Sequence, residues 1–134
     1  MRIFSLSRIS GALMLAALAG TALAPQARAE NDPDAGRRVF GQCMACHSIA
    51  EGAPGRIGPN LRGVVGRAAG SIEGFRYSPN MREIAATGYV WDEAHLAPYL
   101  ADPKSVLPRG FMAFPGLRNP EQISDVIAYL RTQR

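Results

Sequence analysis

Near the C-terminus, Ile123, Val126, Ile127 and Leu130 fall at i, i+3, i+4 and i+7, the spacing that gathers apolar side chains on one face of a helix. Asn119 precedes Pro120, a cap followed by a residue pre-set for the first helical turn, and Gln122 lies three after the cap. Asp32 and Pro33 repeat that start and predict a helix to about Gln42, with Gly36, Val39 and Phe40 on one side. Gly36 on that face suggests a close approach by another helix. Ser78-Pro79 opens a shorter helix that Gly88 stops. Asp92 opens another, ending at Asp102 because Pro103 disfavours helix in the residue before it. Pro98 lies inside this segment and predicts a kink or a short 3₁₀ stretch. Residues 51–70, rich in glycine and proline, and 103–115, with three prolines, are expected to be irregular. No stretch alternates as a strand would. The chain is expected to be all-α.

The N-terminal pattern is of another kind. Arg2 and Arg8 precede an uncharged run from Gly11 to Ala24, and Ala27-Arg28-Ala29 has the form of an export cleavage site. Ala22-Leu23-Ala24 also fits, but cleavage there would leave Pro25 first. The run holds 14 residues, short of the roughly 20 that a spanning helix needs. Residues 1–29 are therefore expected to be a cleaved secretory signal, with retention as a membrane anchor the alternative. Residues 30–134 form one small domain, expected in a bacterial periplasm.

Charge follows from that division. The whole chain carries a formal +4, but three of its fifteen basic residues, Arg2, Arg8 and Arg28, lie in the signal. The remaining twelve face eleven acids, a net +1. A nucleic-acid binder should be strongly basic, so that class is set aside. Lys104 is the single lysine.

Cys43-Met44-Ala45-Cys46-His47 carries the chemistry. Two cysteines separated by two residues and followed by a histidine form the attachment motif of a c-type haem. Each thiol can add across one vinyl group, and His47 then lies where its imidazole can bind iron. A zinc site needs about four ligands, usually as two spaced pairs, and this chain offers only Cys43, Cys46, His47 and His95. A thioredoxin-like site would need a βαβ pattern, and a structural disulfide would leave His47 unused. One covalent haem c is expected.

The second axial ligand must come from elsewhere. Met44 is inside the attachment loop, and Met81 sits in a predicted helix as ordinary core. Met112 lies in a proline-bounded loop far from His47 and is the preferred candidate; a thioether ligand raises the iron's potential. His95, beside Glu93 on a helix, is the rival, with a solvent-facing side chain the simpler reading.

Residues 30–134 resemble the class I cytochromes c, especially the bacterial periplasmic type similar to mitochondrial cytochrome c. The resemblance runs through Gly36, Phe40, Cys43-x-x-Cys46-His47, Gly58-Pro59-Asn60-Leu61, Gly66-Arg67, Gly74-Phe75-x-Tyr77, Trp91, Tyr99-Leu100, Pro103-Lys104, Met112-Ala113-Phe114 and Leu130. It implies a small fold whose N- and C-terminal helices pack together, with loops and short helices around the haem. It implies that Pro59 offers its carbonyl to His47, and that Arg67, Tyr77 and Trp91 hold a buried propionate. Tyr99 would lie beside the Met112 sulfur and Phe114 would cover the haem edge. One departure is Arg109-Gly110-Phe111, where the family usually has Gly-Thr-Lys before the ligand methionine. Another is the segment from Ser78 to Gly88, which is longer and leaves Asn80 the nearest candidate for a haem-side asparagine.

With both axial positions filled, no substrate site remains, and no acid–base or nucleophile constellation is present. The expected role is one-electron transfer by a monomeric carrier, not an enzyme. The resemblance implies a quinol–cytochrome c reductase as donor and a terminal oxidase or photosynthetic reaction centre as acceptor. Arg56, Lys104, Arg109 and Arg118 are expected around the exposed haem edge. The alternative is a ligand-binding or peroxidase-like haem protein with an open or labile sixth position.

Overall fold

The computed structural model describes residues 31–134. The proposed signal and its cleavage site lie outside the described residues. Five α-helices follow in order: α1 (Pro33–Phe40), α2 (Pro79–Ala85), α3 (Glu93–Ala101), α4 (Pro103–Val106) and α5 (Pro120–Thr132). A 3₁₀ turn at Cys43–Ala45 follows α1. Extended pairing among the described residues is limited to one isolated antiparallel bridge between Ala68 and Val90.

Four of the five helices begin with the same local device. Asp32, Ser78, Asp102 and Asn119 each accept backbone N–H bonds from the first turn and each precedes a proline. The side chain satisfies a donor that the helix leaves unpaired, and proline brings a fitted φ and no N–H to satisfy. In α3, Asp92 caps without proline, accepting from the His95 N–H at 2.8 Å.

Two expectations need correcting. The segment 103–115 is not irregular throughout, because α4 occupies its first four residues. Asp102 sits in an extended conformation (φ −154°, ψ 92°), so it ends α3 and caps α4 at once. The expected break at Pro98 is also absent: α3 is α-helical through it. The missing N–H would have served the carbonyl of Ala94, which is exposed, so water can take its place. One helical turn on, the Asp102 N–H donates to the Pro98 carbonyl at 3.0 Å.

The core forms where α1 crosses α5. Ala35, Val39 and Phe40 from α1 and Val126, Ile127, Ala128 and Leu130 from α5 are buried, and the Phe40 and Tyr129 rings stand 5.3 Å apart. The predicted stripe on α5 is therefore the packed face, with Ile123 at its partly buried margin. Asp125 is also on this face and is fully buried. Its carboxylate accepts the Asp32 backbone N–H at 2.8 Å, which ties the start of α1 to the middle of α5. Nothing in the hydrophobic pattern announced that role. No described helix is long and apolar enough to cross a membrane.

Candidate haem site

The attachment motif leaves α1 through the 3₁₀ turn. The backbone N–H groups of Cys46 and His47 both donate to the Cys43 carbonyl, at 3.1 and 2.9 Å, so the three functional residues share one tight turn. Cys43 and Cys46 form no disulfide, and both are half-buried. Burial pushes the Cys43 thiol above its ordinary pKa.

His47 is held by the loop that follows. Its Nδ1 lies 2.7 Å from the Pro59 carbonyl. That carbonyl can only accept, so Nδ1 carries the proton and Nε2 presents its lone pair. Burial lowers the imidazole pKa, with the Pro59 bond acting the other way. Gly58 makes the approach possible: a β-carbon there would overlap the imidazole ring. The Gly58 N–H donates back to the Cys46 carbonyl at 2.8 Å, closing the loop on the motif.

The residues therefore fit a c-type haem on their own chemistry. Two uncommitted thiols sit at the required spacing, a neutral imidazole has its outer nitrogen fixed, and a glycine lets the chain lie flat against that ring. Among the described residues no three His, Cys, Asp or Glu side chains gather as a metal cage.

The second ligand lies in the loop between α4 and α5. That loop is anchored at its ends by the buried Leu107 and Leu117. The Tyr99 hydroxyl, from α3, donates to the Met112 sulfur at 3.9 Å, a weak bond by its length. Burial pushes the Tyr99 phenol up to about 12. The Lys104 ammonium donates to the Gly110 carbonyl at 2.5 Å, two residues before the methionine. His95, the rival ligand, has its Nδ1 2.9 Å from the Val90 carbonyl and 3.0 Å from the Asp92 carboxylate. Its ring lies 4.2 Å from that of Tyr89, so it is a stacked and bonded residue rather than a purely solvent-facing one.

Arg67, Trp91 and Tyr99 are brought together. The Trp91 N–H donates to the Arg67 carbonyl, and Gly66 donates to the Trp91 carbonyl, both at 2.9 Å. The Trp91 and Tyr99 rings are 4.7 Å apart. The Arg67 guanidinium donates to the carbonyls of Arg62 and Asn60, at 3.0 and 3.1 Å. Burial lowers its pKa while the nearby Tyr77 opposes that shift. The Tyr77 hydroxyl accepts the Ile72 N–H at 3.3 Å, and its ring meets Phe75 edge-on. Phe114 packs, partly buried, on the main core.

Asn80, the candidate for a haem-side asparagine, is bonded to its own helix and to the Met112 loop. Its oxygen accepts the Arg109 N–H at 3.3 Å and its nitrogen bonds Glu83 at 3.2 Å. Arg109 spends its charge on Glu83, with both carboxylate oxygens within 2.9 Å. Sequence reasoning missed this pairing across 26 positions. Among the described residues, the prominently exposed large apolar side chains are Met44, Ile57 and Phe111.

Comparison with known proteins agrees with the geometry. A family model described as cytochrome c matches residues 33–134. The chain is 46% identical over 98 residues to cytochrome c2 of Afifella marina, covering 73% of this chain and 79% of that one. It is 45% identical over 119 residues to cytochrome c2 of Rhodomicrobium vannielii, covering 87% and 93%. The solved structure of cytochrome cH from Methylobacterium extorquens superimposes with a TM-score of 0.68 at 40% identity, over 75% of this chain and 98% of that one. With the attachment cysteines Cys43 and Cys46 and the axial residues His47 and Met112 in place, the chain belongs to the cytochrome c family, an electron carrier of the cytochrome c2 kind rather than an enzyme.

Proposed function

We propose that this carrier works in a bacterial periplasm, as residues 30–134 freed from a signal at 1–29, and that it moves electrons between a quinol–cytochrome c reductase and a terminal oxidase or photosynthetic reaction centre. The observation that carries the reading is the pair of fixed ligands: His47 bonded to Pro59 and Met112 bonded to Tyr99. Bound haem supplies a one-electron Fe(III)/Fe(II) couple. The chain's part is to hold both ligands in place in either oxidation state. A thioether opposite an imidazole favours the reduced form and raises the potential.

The remaining residues take supporting roles in this proposal. Pro59 makes His47 a more basic ligand because its carbonyl accepts the hydrogen bond from Nδ1–H. Arg67, Tyr77 and Trp91 would hold a propionate, a group whose burial without partners would be costly. Phe114 would shield the haem edge. The carrier works as a monomer and takes no small-molecule substrate or nucleic acid.

Docking combines weak charge with exposed apolar side chains. Residues 30–134 carry a net charge of only +1, and Arg109 is already paired with Glu83. Phe111, 62% exposed, stands where the family usually has a lysine. Membranes bearing a quinol–cytochrome c reductase should reduce the ferric holoprotein, and oxidase-bearing membranes should reoxidise it. A carrier that neither membrane turns over would end this assignment. Rates should fall as salt screens the remaining basic residues; a flat response would shift the docking reading to Phe111 and Phe114.

A further inference from the structure

The loop that carries Met112 lacks the threonine that its family usually places two residues before the ligand; Gly110 stands there. A glycine adds freedom and no side-chain bond. Phe111 is mostly exposed. Yet three residues before the methionine, Arg109 is bound to α2 by two separate groups. The Glu83 carboxylate takes its guanidinium nitrogen Nη2 at 2.7 and 2.9 Å. The Asn80 oxygen takes its backbone N–H at 3.3 Å, and the Asn80 nitrogen reaches back to Glu83 at 3.2 Å. Asn80 and Glu83 thus lie one helical turn apart on α2 and grip side chain and main chain of the same loop residue. The start of α2 is itself fixed, because Ser78 is buried and caps the Met81 N–H.

We propose that Glu83 and Asn80 are positioning residues for the sixth ligand: α2 latches the Met112 loop shut through Arg109, and the latch sets how often the methionine leaves the iron. Neither residue touches the ligand. Their effect is on the fraction of molecules in which the sixth position is open. A competing ligand that needs the open form binds with an apparent affinity proportional to that fraction. Both partners of the ion pair are more than half exposed, Arg109 at 66% and Glu83 at 54%. Such pairs are weak and screened by salt, so the latch is a fine adjustment of the ligand rather than its main support.

The test is imidazole binding to the ferric holoprotein, followed by loss of the charge-transfer absorption of methionine-ligated haem, above the pH at which free imidazole takes up a proton. Glu83→Gln should tighten apparent imidazole binding about threefold, the scale of a well-formed exposed pair. Arg109→Gln should match it, and the double variant should show less than the combined effect of the two, because both singles break the same contact. In the parent, raising salt to about 1 M, where the Debye length is about 3 Å, should tighten imidazole binding towards the Glu83→Gln value; the variant should respond little. Arg131→Gln breaks a comparable exposed pair with Glu93, between α5 and α3, and should leave imidazole binding unchanged. Unaltered binding in Glu83→Gln, or an equal shift in Arg131→Gln, overturns the proposal. The inference rests on Met112 as the iron ligand. Failure of that premise is distinguishable, because the charge-transfer absorption would then survive Met112→Ala.

Discussion

Gly36 of α1 and Asp125 of α5 meet so closely that a β-carbon at position 36 would overlap the Asp125 carbonyl oxygen and stand 2.8 Å from the Tyr129 β-carbon. The obstacle is backbone, which cannot swing aside as a long side chain can. In an open helix, alanine for glycine would gain up to about 1 kcal/mol. Here overpacking at a helix crossing wins, and Gly36→Ala should destabilise the holoprotein by about 2 kcal/mol net. Denaturant unfolding measures it; an unchanged midpoint would mean that the two helices separate without cost.

Met112→Ala should remove the charge-transfer absorption of ferric methionine-ligated haem and let carbon monoxide bind the ferrous form. The haem should stay attached, because Cys43 and Cys46 are untouched. The potential should fall with loss of the thioether. If the parent protein binds carbon monoxide as readily as the variant, the sixth site is open and the ligand-binding alternative returns.

Tyr99→Phe tests a smaller effect. The hydroxyl that donates to the Met112 sulfur draws electron density from it, and at 3.9 Å it does so weakly. Without it the sulfur donates more strongly to iron, which favours the oxidised state. The potential should drop by about 30 mV, half the 59 mV that a tenfold one-electron change represents. A rise on voltammetry would contradict this account of the bond.

Tyr89 supplies a prediction with a pH sign. Its phenol pKa is raised above 10.0, first by burial and then by the negative charge of Asp92. A folded-state pKa above the unfolded value means that its stabilising contribution is fully present below pH 10.0 and disappears as pH rises through the folded pKa. Asp92→Asn keeps a good helix cap for α3 and removes the charge. Tyr89 should then ionise closer to its ordinary value, though not at it, because burial is the larger cause. A pH titration of carbon-13-labelled tyrosine by NMR checks this; no shift would show that Asp92 does not act on the phenol.

Most of what the chain is for was legible in consecutive residues. The haem motif lies in five of them, and its chemistry depends only on two thiols and an imidazole at fixed spacing. Helix starts were legible for the same reason: a cap side chain reaches two or three residues and no further. The start of α4 carried this signal too, since Asp102-Pro103 repeats Asp32-Pro33. Asp102 alone, in one extended conformation, both ends α3 and starts α4.

Tertiary structure decided the contacts that depend on distant partners. Asp125 reads as a polar interruption in an apolar helix until the Asp32 N–H, 93 positions away, is placed against it. Arg109 reads as a docking charge until Glu83 neutralises it. His95 reads as a solvent-facing residue until the fold sets its Nδ1 against the Val90 carbonyl and its ring against Tyr89. In each case the side chain's chemistry was known from its name. What that chemistry was used for depended on which backbone or opposite charge the fold carried within about 3 Å, the reach of a hydrogen bond.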